Sequence, residues 1–254
     1  MKKRFIYLAF IFAFVFSLAG CSKGSSLDKS LIATPDQLED LEKDLEDIFD
    51  ELHDQDVISF EFVSEAKADY VGRENIQVGK TKTTGSAKYD IENPEDSSIQ
   101  ANVSYEYTST YYDAVAGKVS TSYKYEKEEI VVKEKTYRHV KETEKGNEST
   151  YEEETWKRYD EYYPSISFNS YLSYLTLSTF MNADYVVVDG DNITAVYSTY
   201  ESHREITIVL EGDEIVSLSV YSLSNGMEEN LEVTFVDSVS ISKPDNASDY
   251  ELVD

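Results

Sequence analysis

A two-residue alternation of apolar and polar side chains runs through most of this chain and constrains its fold more than any other feature. The alternation begins at Val57. In its clearest run, five apolar residues occupy alternate positions: Ile99, Ala101, Val103, Tyr105 and Tyr107. Successive side chains of a strand point to opposite faces of a sheet, so this spacing puts one face on a core and the other in water. The pattern therefore predicts antiparallel strands.

The rest of the alternating pattern divides into strands separated by turn signals. Before residue 160, the further predicted strands are Val57–Val63, Lys82–Ile91, Val119–Tyr125, Glu129–Arg138 and Ser149–Arg158. After residue 184, they are Tyr185–Val188, Ile193–Tyr200, Glu205–Leu210, Glu214–Tyr221 and Leu231–Val236. Lys145-Gly146-Asn147 and Asn225-Gly226 are typical hairpin turns. In the charged stretch 126–161, β-branched and aromatic residues favour strands over a coiled coil or a disordered tract.

Before the strands, residues 35–52 have the spacing of an amphipathic helix with a defined start. Thr34 is a good N-cap, Pro35 suits the first turn, and Gln37 completes a capping box. The apolar stripe consists of Leu38, Leu41, Leu45, Ile48, Phe49 and Leu52. The other side of the helix is heavily acidic, and like charges four residues apart weaken a helix. We therefore expect the apolar stripe to dock on the main body, leaving a solvated acidic face.

A second helix is predicted from about residue 167 to residue 182, where apolar residues occupy most of the circumference. The residues are Phe168, Tyr171, Leu172, Leu175, Leu177, Phe180 and Met181. A helix that is apolar nearly all round is largely buried. It is too short and too rich in serine to cross a membrane. Beyond Lys243-Pro244, residues 245–254 are expected to form a frayed tail.

The first 21 residues have the layout of an export signal. Three positive residues at 2–4 precede an apolar run from Phe5 to Phe16, which is too short for a comfortable membrane span. Leu18-Ala19-Gly20-Cys21 follows. This tetrapeptide closely resembles the lipobox of bacterial lipoproteins, and the resemblance implies that Cys21 is diacylated and becomes the first residue of the mature chain. The alternative is an ordinary signal peptide or anchor helix with an incidental cysteine.

The cysteine count favours the lipobox, because Cys21 is the only cysteine of the chain and has no intramolecular disulfide partner. The expected organisation is a signal peptide at 1–20, a serine-rich tether at 21–33 and a single domain at 34–254. The expected location is the extracytoplasmic face of a bacterial cell membrane, with the acylated Cys21 as the anchor and a monomeric body.

The charge balance excludes several classes of partner. The chain of 254 residues has 23 Lys and Arg against 50 Asp and Glu, so 23 − 50 gives a net charge of −27. Such a surface repels nucleic acids and anionic lipid head groups at long range. The hydrophobic fraction of 41%, with 21 tyrosines, distinguishes the chain from a disordered acidic protein and is enough for a sizeable core.

No catalytic, metal or cofactor signature stands out. His53, His139 and His203 are far apart and match no zinc spacing. The glycines form no nucleotide-binding loop and no hydrolase elbow. The pair Asp189 and Asp191 faintly resembles a calcium loop, but a hairpin turn explains it more simply. We therefore expect a protein that is not an enzyme and that uses no cofactor.

The candidate ligand site combines tyrosines with residues of the second helix. Its members are Tyr105, Tyr107, Tyr123, Tyr125, Leu172, Leu175 and Phe180. The four tyrosines occupy the same alternate positions as the apolar residues of two neighbouring strands. Their side chains therefore point to one face of the sheet, as the wall of an amphipathic cavity requires. Ordinary core residues occupy the same alternate positions, so the tyrosines have two interpretations: they line a cavity, or they pack in the core.

The order of elements resembles that of the LolA/LolB and LppX-type lipoproteins. The shared pattern covers about residues 35–244 and consists of a capped helix, long antiparallel strands, a buried helix and a final short meander. The resemblance implies an α+β fold in which a curved, incompletely closed antiparallel sheet, an open half-barrel, has helices on its concave side. Several such proteins bind or carry lipids. Only Cys21 matches a functional residue of that group, and the charged region 126–161 is longer than the pattern needs.

Two functions follow as alternatives. The first is a membrane-anchored lipoprotein that binds an apolar ligand, such as a lipid or acyl chain, without catalysis. The second is a surface module for protein–protein interaction with a closed core. A continuous apolar pocket of about 300–1,000 Å³ between helix 167–182 and the sheet favours the first, and solid packing there favours the second.

Overall fold

A computed structural model describes residues 27–71, 75–113, 117–146, 149–166 and 168–253. The chain divides into two compact units, 1–31 and 32–254. In the first unit, the described residues contain one 3-10 turn, Lys29–Leu31. The predicted signal peptide, Cys21 and the start of the predicted tether lie outside the described residues.

Among the described residues of the second unit, twelve strands form one large curved antiparallel sheet. They are β1 Val57–Val71, β2 Asn75–Asp90, β3 Ser98–Asp113, β4 Gly117–Val132, β5 Lys135–Lys145, β6 Thr150–Tyr159, β7 Tyr185–Asp189, β8 Asn192–Ser198, β9 Ser202–Glu211, β10 Glu214–Ser224, β11 Met227–Phe235 and β12 Glu251–Leu252. The spatial order is β12-β6-β5-β4-β3-β2-β1-β11-β10-β9-β8-β7. Neighbours are antiparallel except β12, which is parallel to β6. Since β7 and β12 do not pair with each other, the described sheet is open.

The predicted strands are confirmed except in one place. Glu129–Arg138, predicted as one strand, is instead the end of β4, a tight turn and the start of β5. The turn residues Lys133 and Glu134 have φ of 51° and 62°. Two successive residues in the left-handed region make the kind of turn that matches the twist of a hairpin, and glycine or asparagine is the usual signal for it. Lysine and glutamate give no such signal, so the sequence of 129–138 contains nothing that marks a turn between two strands.

The first predicted helix is confirmed as α1, Pro35–His53, with its capping box. The Gln37 backbone N–H donates to Thr34 Oγ1 at 3.4 Å, and the Thr34 backbone N–H donates to Gln37 Oε1 at 2.9 Å. The residues of α1 that become buried are Leu45, Ile48, Phe49 and Leu52. These belong to the predicted apolar stripe, so docking on the sheet explains how a strongly acidic helix is retained.

One face of the sheet, called the core face below, carries the main hydrophobic core. On β1 it presents Ile58, Phe60 and Phe62, which are at most 3% exposed. The register continues this face across neighbouring strands, for example from Phe60 to Ala87 on β2. In the spatial order of the sheet, buried residues of the nine strands from β4 through β1 and β11 to β7 join one cluster with residues of α1. A single core thus connects most of the sheet.

The predicted helix 167–182 is wrong as one element. The structure has two short helices, α2 Asn169–Leu172 and α3 Leu177–Met181. Between them, Thr176 is extended with φ of −136°, and its hydroxyl bonds the Ser178 and Thr179 side chains. Serine and threonine compete with the helical backbone in this way. The predicted burial is nevertheless confirmed, since Leu175 is fully buried.

The predicted frayed tail is also wrong. Tyr250 is only 6% exposed and makes edge-on ring contacts with Tyr137 at 5.4 Å and Trp156 at 5.2 Å. These rings form a small second cluster on the face opposite the core face. The tail then adds β12 beside Lys157 and Arg158 of β6. Aromatic burial and main-chain pairing therefore hold the C-terminal segment.

We expect the docking of Tyr250 to make stability fall in alkaline solution. Burial first, and then the nearby Glu128 and Asp249 carboxylates, raise the pKa of Tyr250 to about 12. An unfolded tyrosine titrates near about pH 10. Between these two pH values, Tyr250 loses its proton in the unfolded chain and keeps it in the folded chain. The stabilisation that comes from burying the protonated Tyr250 is therefore complete below about pH 10 and is lost as pH rises towards about 12. Urea unfolding measures the free energy of unfolding at about pH 9 and about pH 11.5. The decrease between these two pH values should be smaller for Tyr250→Phe than for the wild type. An identical loss in both proteins would contradict the assignment.

Candidate functional site

The four candidate tyrosines lie together on the core face. Tyr105 stands directly opposite Tyr125 in the β3–β4 pair, and Tyr107 stands opposite Tyr123. The rings of Tyr105 and Tyr123 are 6.0 Å apart between centroids. All four side chains are partly exposed. Gly79 on β2 lies beside two of them, since a methyl group there would be 3.7 Å from the Tyr105 hydroxyl and 4.0 Å from the Tyr107 ring.

The three candidate residues from the short helices lie elsewhere, in the main core. Leu172, Leu175 and Phe180 are 9%, 0% and 1% exposed and belong to the main cluster. The Phe180 ring lies 5.7 Å from that of Phe49 on α1. The tyrosines are not among the residues of that cluster. The seven candidates therefore form two separate groups.

Aromatic rings fill the space beneath α2. Phe168 packs edge-on against Phe60 and Phe62, at 5.3 Å between centroids in each case. Tyr171 also packs against Phe62, at 5.9 Å. In the described part of the chain, this region is packed core, so a ligand site has to be sought at the tyrosine end of the sheet.

A cavity of about 260 Å³ opens beside Tyr125 on the core face of β4, β5 and β6. We call it the core-face cavity. Its lining residues are Tyr125, Arg138, Val140, Glu142, Glu153, Thr155, Lys157 and Tyr159. The register makes it charged at both ends: Glu142 faces Glu153 at one end, and Arg138 faces Lys157 at the other. Tyr125 belongs both to this lining and to the tyrosine group, so the two features are continuous.

The fully buried Glu129 carboxylate anchors an ion cluster next to this cavity. Its side chain has no exposure, and Arg138 Nε donates to its Oε2 at 2.6 Å. The Ser165 backbone N–H and hydroxyl donate to Oε1 at 2.8 and 3.0 Å. Lys127 Nζ lies 3.8 Å from Oε2. Burial lowers the pKa of the Lys127 ammonium, and the Glu129 carboxylate offsets part of that effect.

Arg138 also fastens the segment after β6 onto the core face. Its guanidinium lies 4.9 Å from the Tyr159 ring and 4.7 Å from the Tyr163 ring, and it donates to the Tyr163 carbonyl. Thr136 adds two bonds of 3.0 Å, donating to the Glu161 carbonyl and accepting from the Tyr163 N–H. The guanidinium is therefore already occupied, and these contacts define one end of the cavity.

The sequence interpretation missed this cluster. Glu129 and Arg138 become partners because the turn at 133–134 folds their strands together, and that turn was not recognised. One signal was present in the sequence. Lys127 and Glu129 follow Tyr125 at alternate positions of the same strand, so their side chains point to the same face and put two charges on the core face. Charges on a core-facing parity require partners.

The hydroxyls of Tyr123 and Tyr125 remain proton donors near neutral pH. Burial, followed by the Glu142 carboxylate, raises the pKa of both Tyr123 and Tyr125. Tyr123 forms a side-chain hydrogen bond with Glu142. The core face therefore offers aromatic faces, hydroxyls and carboxylates to a ligand at the same place.

A second cavity, of about 360 Å³, lies mainly on the opposite face of β2–β5. Its lining residues are Lys82, Thr84, Asn102, Val103, Ser104, Glu126, Lys127, Glu128, His139 and Lys141. His139 stacks on Trp156 at 3.6 Å and hydrogen bonds Glu154 at 2.7 Å. The lining mixes both charge signs, and none of the seven candidate ligand residues contributes to it.

Three other side chains have the hydrogen-bond order of a hydrolase triad. Ser198 Oγ lies 2.9 Å from His203 Nδ1, and His203 Nε2 lies 2.8 Å from Glu205 Oε1. Ordinary strand geometry explains these contacts, because Ser198 faces His203 across the β8–β9 pair and Glu205 follows two residues later on the same face. Neither cavity reaches the trio, so hydrogen-bond order alone assigns no reaction to it.

The described residues contain no metal-type cluster of three or more His, Cys, Asp or Glu. His53, one of the three histidines, hydrogen bonds the Leu175 carbonyl at 3.0 Å instead. Within the same residues, no helix is long and apolar enough to cross a bilayer.

No protein-family model and no curated protein matches the chain. Two solved structures show weak likeness. One is a β-barrel-like protein of the domain of unknown function DUF1849 from Brucella abortus, at 6% identity and a TM-score of 0.24, with 73% of this chain and 98% of that chain covered. The other is a porin-like protein from Bacteroides uniformis, at 11% identity and a TM-score of 0.15, with 68% and 95% covered. Scores this low say nothing about what the present chain binds or does.

Proposed function

We propose that this chain is a membrane-anchored bacterial lipoprotein that binds an apolar or amphipathic ligand, such as a lipid, without catalysis. The observation that carries the proposal is the continuity of the four part-exposed tyrosines with the core-face cavity through Tyr125. A tyrosine ring offers an apolar face together with a hydroxyl, which suits a ligand that has both an apolar and a polar part.

The proposed architecture is a half-barrel with the core face on its concave side. The end of that face near α1 and α2 is packed with aromatic rings, and the tyrosine end remains accessible. The ligand would therefore lie along β3 and β4, and Leu172, Leu175 and Phe180 would support the fold rather than touch the ligand.

The proposed anchor is the diacylated Cys21. The peptide Leu18-Ala19-Gly20-Cys21 follows an apolar leader, and no second cysteine is present in the chain. Two acyl chains give firm membrane attachment, whereas one gives only marginal binding. An anchored body at the outer face of the membrane would be close to lipids as a source of ligand.

We expect Cys21→Ala to release the protein from the membrane. The prediction is checked by fractionating cells that express the wild type or the variant, together with mass spectrometry of the wild-type N-terminus. The wild type should begin at an acylated Cys21, and the variant should move to the soluble fraction. A variant that still fractionates with detergent-extractable membrane protein would contradict the anchor.

We expect the tyrosine face to take up an amphiphile. The measurement uses the full-length Cys21→Ala chain, so that its own acyl groups cannot occupy the site, and follows a fluorescent fatty acid by titration. Replacing Tyr125 with serine should weaken binding about tenfold, because one aromatic face is lost at the centre of the site. The matched control is Tyr200→Ser, since Tyr200 is fully exposed and lies far along the sheet. No uptake by the parent chain, or equal loss in both variants, would contradict the site.

A protein–protein interaction module is the second candidate. The packed space beneath α2 favours it, because a closed core at that end leaves the exterior as the binding surface. Failure of amphiphile uptake would favour this function, whereas uptake that depends on Tyr125 would favour the first.

A further inference from the structure

Resting on the proposed ligand-binding function, we infer that the core-face cavity holds the head group of a zwitterionic amphiphile. The cationic part of the head group lies at Glu142 and Glu153, and its anionic part lies at Lys157. Three features carry the inference: the acidic end of the cavity, the aromatic walls and the basic end.

The acidic end contains two like charges in the least favourable arrangement. Glu142 and Glu153 face each other directly across the β5–β6 pair and point to the same face of the sheet. Like charges in this position destabilise a sheet. Among the described residues, neither carboxylate forms an ion pair within 4.0 Å, and their nearby polar partners include the hydroxyls of Tyr123 and Tyr151. A ligand cation between the two carboxylates would remove the repulsion.

Aromatic rings complete the surroundings of that cation. Tyr125 stands opposite Glu142 on the neighbouring strand, and Tyr105 stands opposite Tyr125 on the next. The face of a tyrosine ring attracts a cation, and aromatic surroundings are a common way to bind quaternary ammonium groups. The tyrosines and carboxylates therefore favour an ammonium group over a neutral one.

The basic end also has two like charges that face each other, and here both are positive. Arg138 faces Lys157 across the same strand pair. Arg138 is already bonded to Glu129 and to the Tyr163 carbonyl. Lys157 is exposed and forms no ion pair within 4.0 Å among the described residues. Lys157 is therefore the cation available to a ligand anion.

The distance between the ends suits a head group that carries both charges. Glu153 and Lys157 are four residues apart on β6, which corresponds to about 13 Å along the strand between their Cα atoms. A head group whose ammonium contacts one carboxylate and whose phosphate contacts one lysine spans a length of this order, and both residues line the cavity. The volume of about 260 Å³ is below that of a typical pocket for a whole drug-sized ligand, which fits a head group with its chain lying outside along the tyrosines.

The test compares three surfactants with the same octyl chain. Octylphosphocholine carries both charges, octyltrimethylammonium carries only the cation, and octyl sulfate carries only the anion. Calorimetric titration of the full-length Cys21→Ala chain, below the micelle concentration of each surfactant, should show octylphosphocholine binding about tenfold more tightly than either of the others. Comparison with octyltrimethylammonium matters because the net charge of −27 attracts any cation without specificity.

Paired variants separate the site from the general charge of the surface. Glu153→Gln and Lys157→Gln should each remove most of the preference for octylphosphocholine. The control Glu152→Gln changes the neighbouring residue of β6, whose side chain points to the opposite face, and Lys141→Gln does the same on β5. Both controls should retain the preference. Circular dichroism and unfolding midpoints confirm that the variants remain folded.

The possible outcomes distinguish this inference from the proposed function. Uptake of the fluorescent fatty acid, without any preference for octylphosphocholine, would overturn the zwitterionic site and leave the tyrosine site standing. Equal effects of Glu152→Gln and Glu153→Gln would also overturn it. Loss of the preference in Glu153→Gln and Lys157→Gln alone would support it.

Discussion

Replacing Glu129 with leucine is expected to lower the free energy of unfolding by about 3–5 kcal/mol, one of the largest effects available in this chain. The Glu129 side chain is fully buried and is the ionic partner of Arg138 at 2.6 Å and of Lys127 at 3.8 Å. Leucine removes that partner and leaves two largely buried cations without their counter-charge. Urea unfolding at neutral pH, followed by circular dichroism, measures the change.

A double variant shows whether the loss comes from the orphaned charge. In Glu129→Leu with Arg138→Leu, the carboxylate and its closest cation are both absent, and we expect a smaller loss than in Glu129→Leu alone. Glu126→Leu is the control on the same strand, because Glu126 is about half exposed and its ion-pair partner Lys124 is exposed too. Such surface pairs contribute no more than about 1 kcal/mol. A single Glu129→Leu variant as stable as the Glu126 control would show that the buried cluster does not hold β4, β5 and segment 161–166 together.

The local signals of the sequence predicted most of the regular structure. The helix from Pro35 was predictable because its capping box and its apolar stripe act within a few residues of each other. The strands were predictable because side-chain parity repeats every two residues over long stretches. Parity also placed Tyr105 and Tyr125 on one face correctly, since that requires only the alternation within each strand.

The errors have a common physical origin in tertiary contacts. The turn at Lys133 and Glu134 uses residues that seldom adopt a left-handed backbone, so the surrounding sheet rather than local preference fixes it. Tyr250 lies in a polar tail, and its burial depends on the rings of Tyr137 and Trp156, which are distant in sequence. Threonine at position 176 divides the apolar segment 167–182, although the segment is buried as predicted.

The core-face cavity could not be predicted for the same reason. Its charge pattern depends on which residues face one another across β5 and β6, and parity alone leaves that register undetermined. A shift of two residues would keep every side chain on its face but would separate Glu142 from Glu153 and Arg138 from Lys157. The two like-charge pairs are therefore a property of the fold and not of any local motif.

Replacing Gly85 with alanine is expected to destabilise the protein by about 3 kcal/mol or more, at the upper end of what overpacking costs. Gly85 lies on the core face of β2, opposite Phe62 on β1 and Ala101 on β3. A methyl group there would collide with the Gln100 carbonyl oxygen and lie 2.7 Å from Phe62 Cζ. The carbonyl belongs to the neighbouring strand, so relief requires a backbone shift in the centre of the sheet. Thermal and urea unfolding measure the loss.

Gly79→Ala is the matched control, because Gly79 lies on the same strand and the same face. Its added methyl group would meet the Tyr105 hydroxyl at 3.7 Å, an ordinary van der Waals distance. Alanine there should leave stability within about 0.5 kcal/mol of the wild type, or raise it slightly by restricting the unfolded chain. Shortening Phe62 in the Gly85→Ala background should not restore stability, since the clash with the Gln100 carbonyl remains. Equal stabilities for Gly85→Ala and Gly79→Ala would mean that β2 and β3 are further apart at Gly85 than the structure has them.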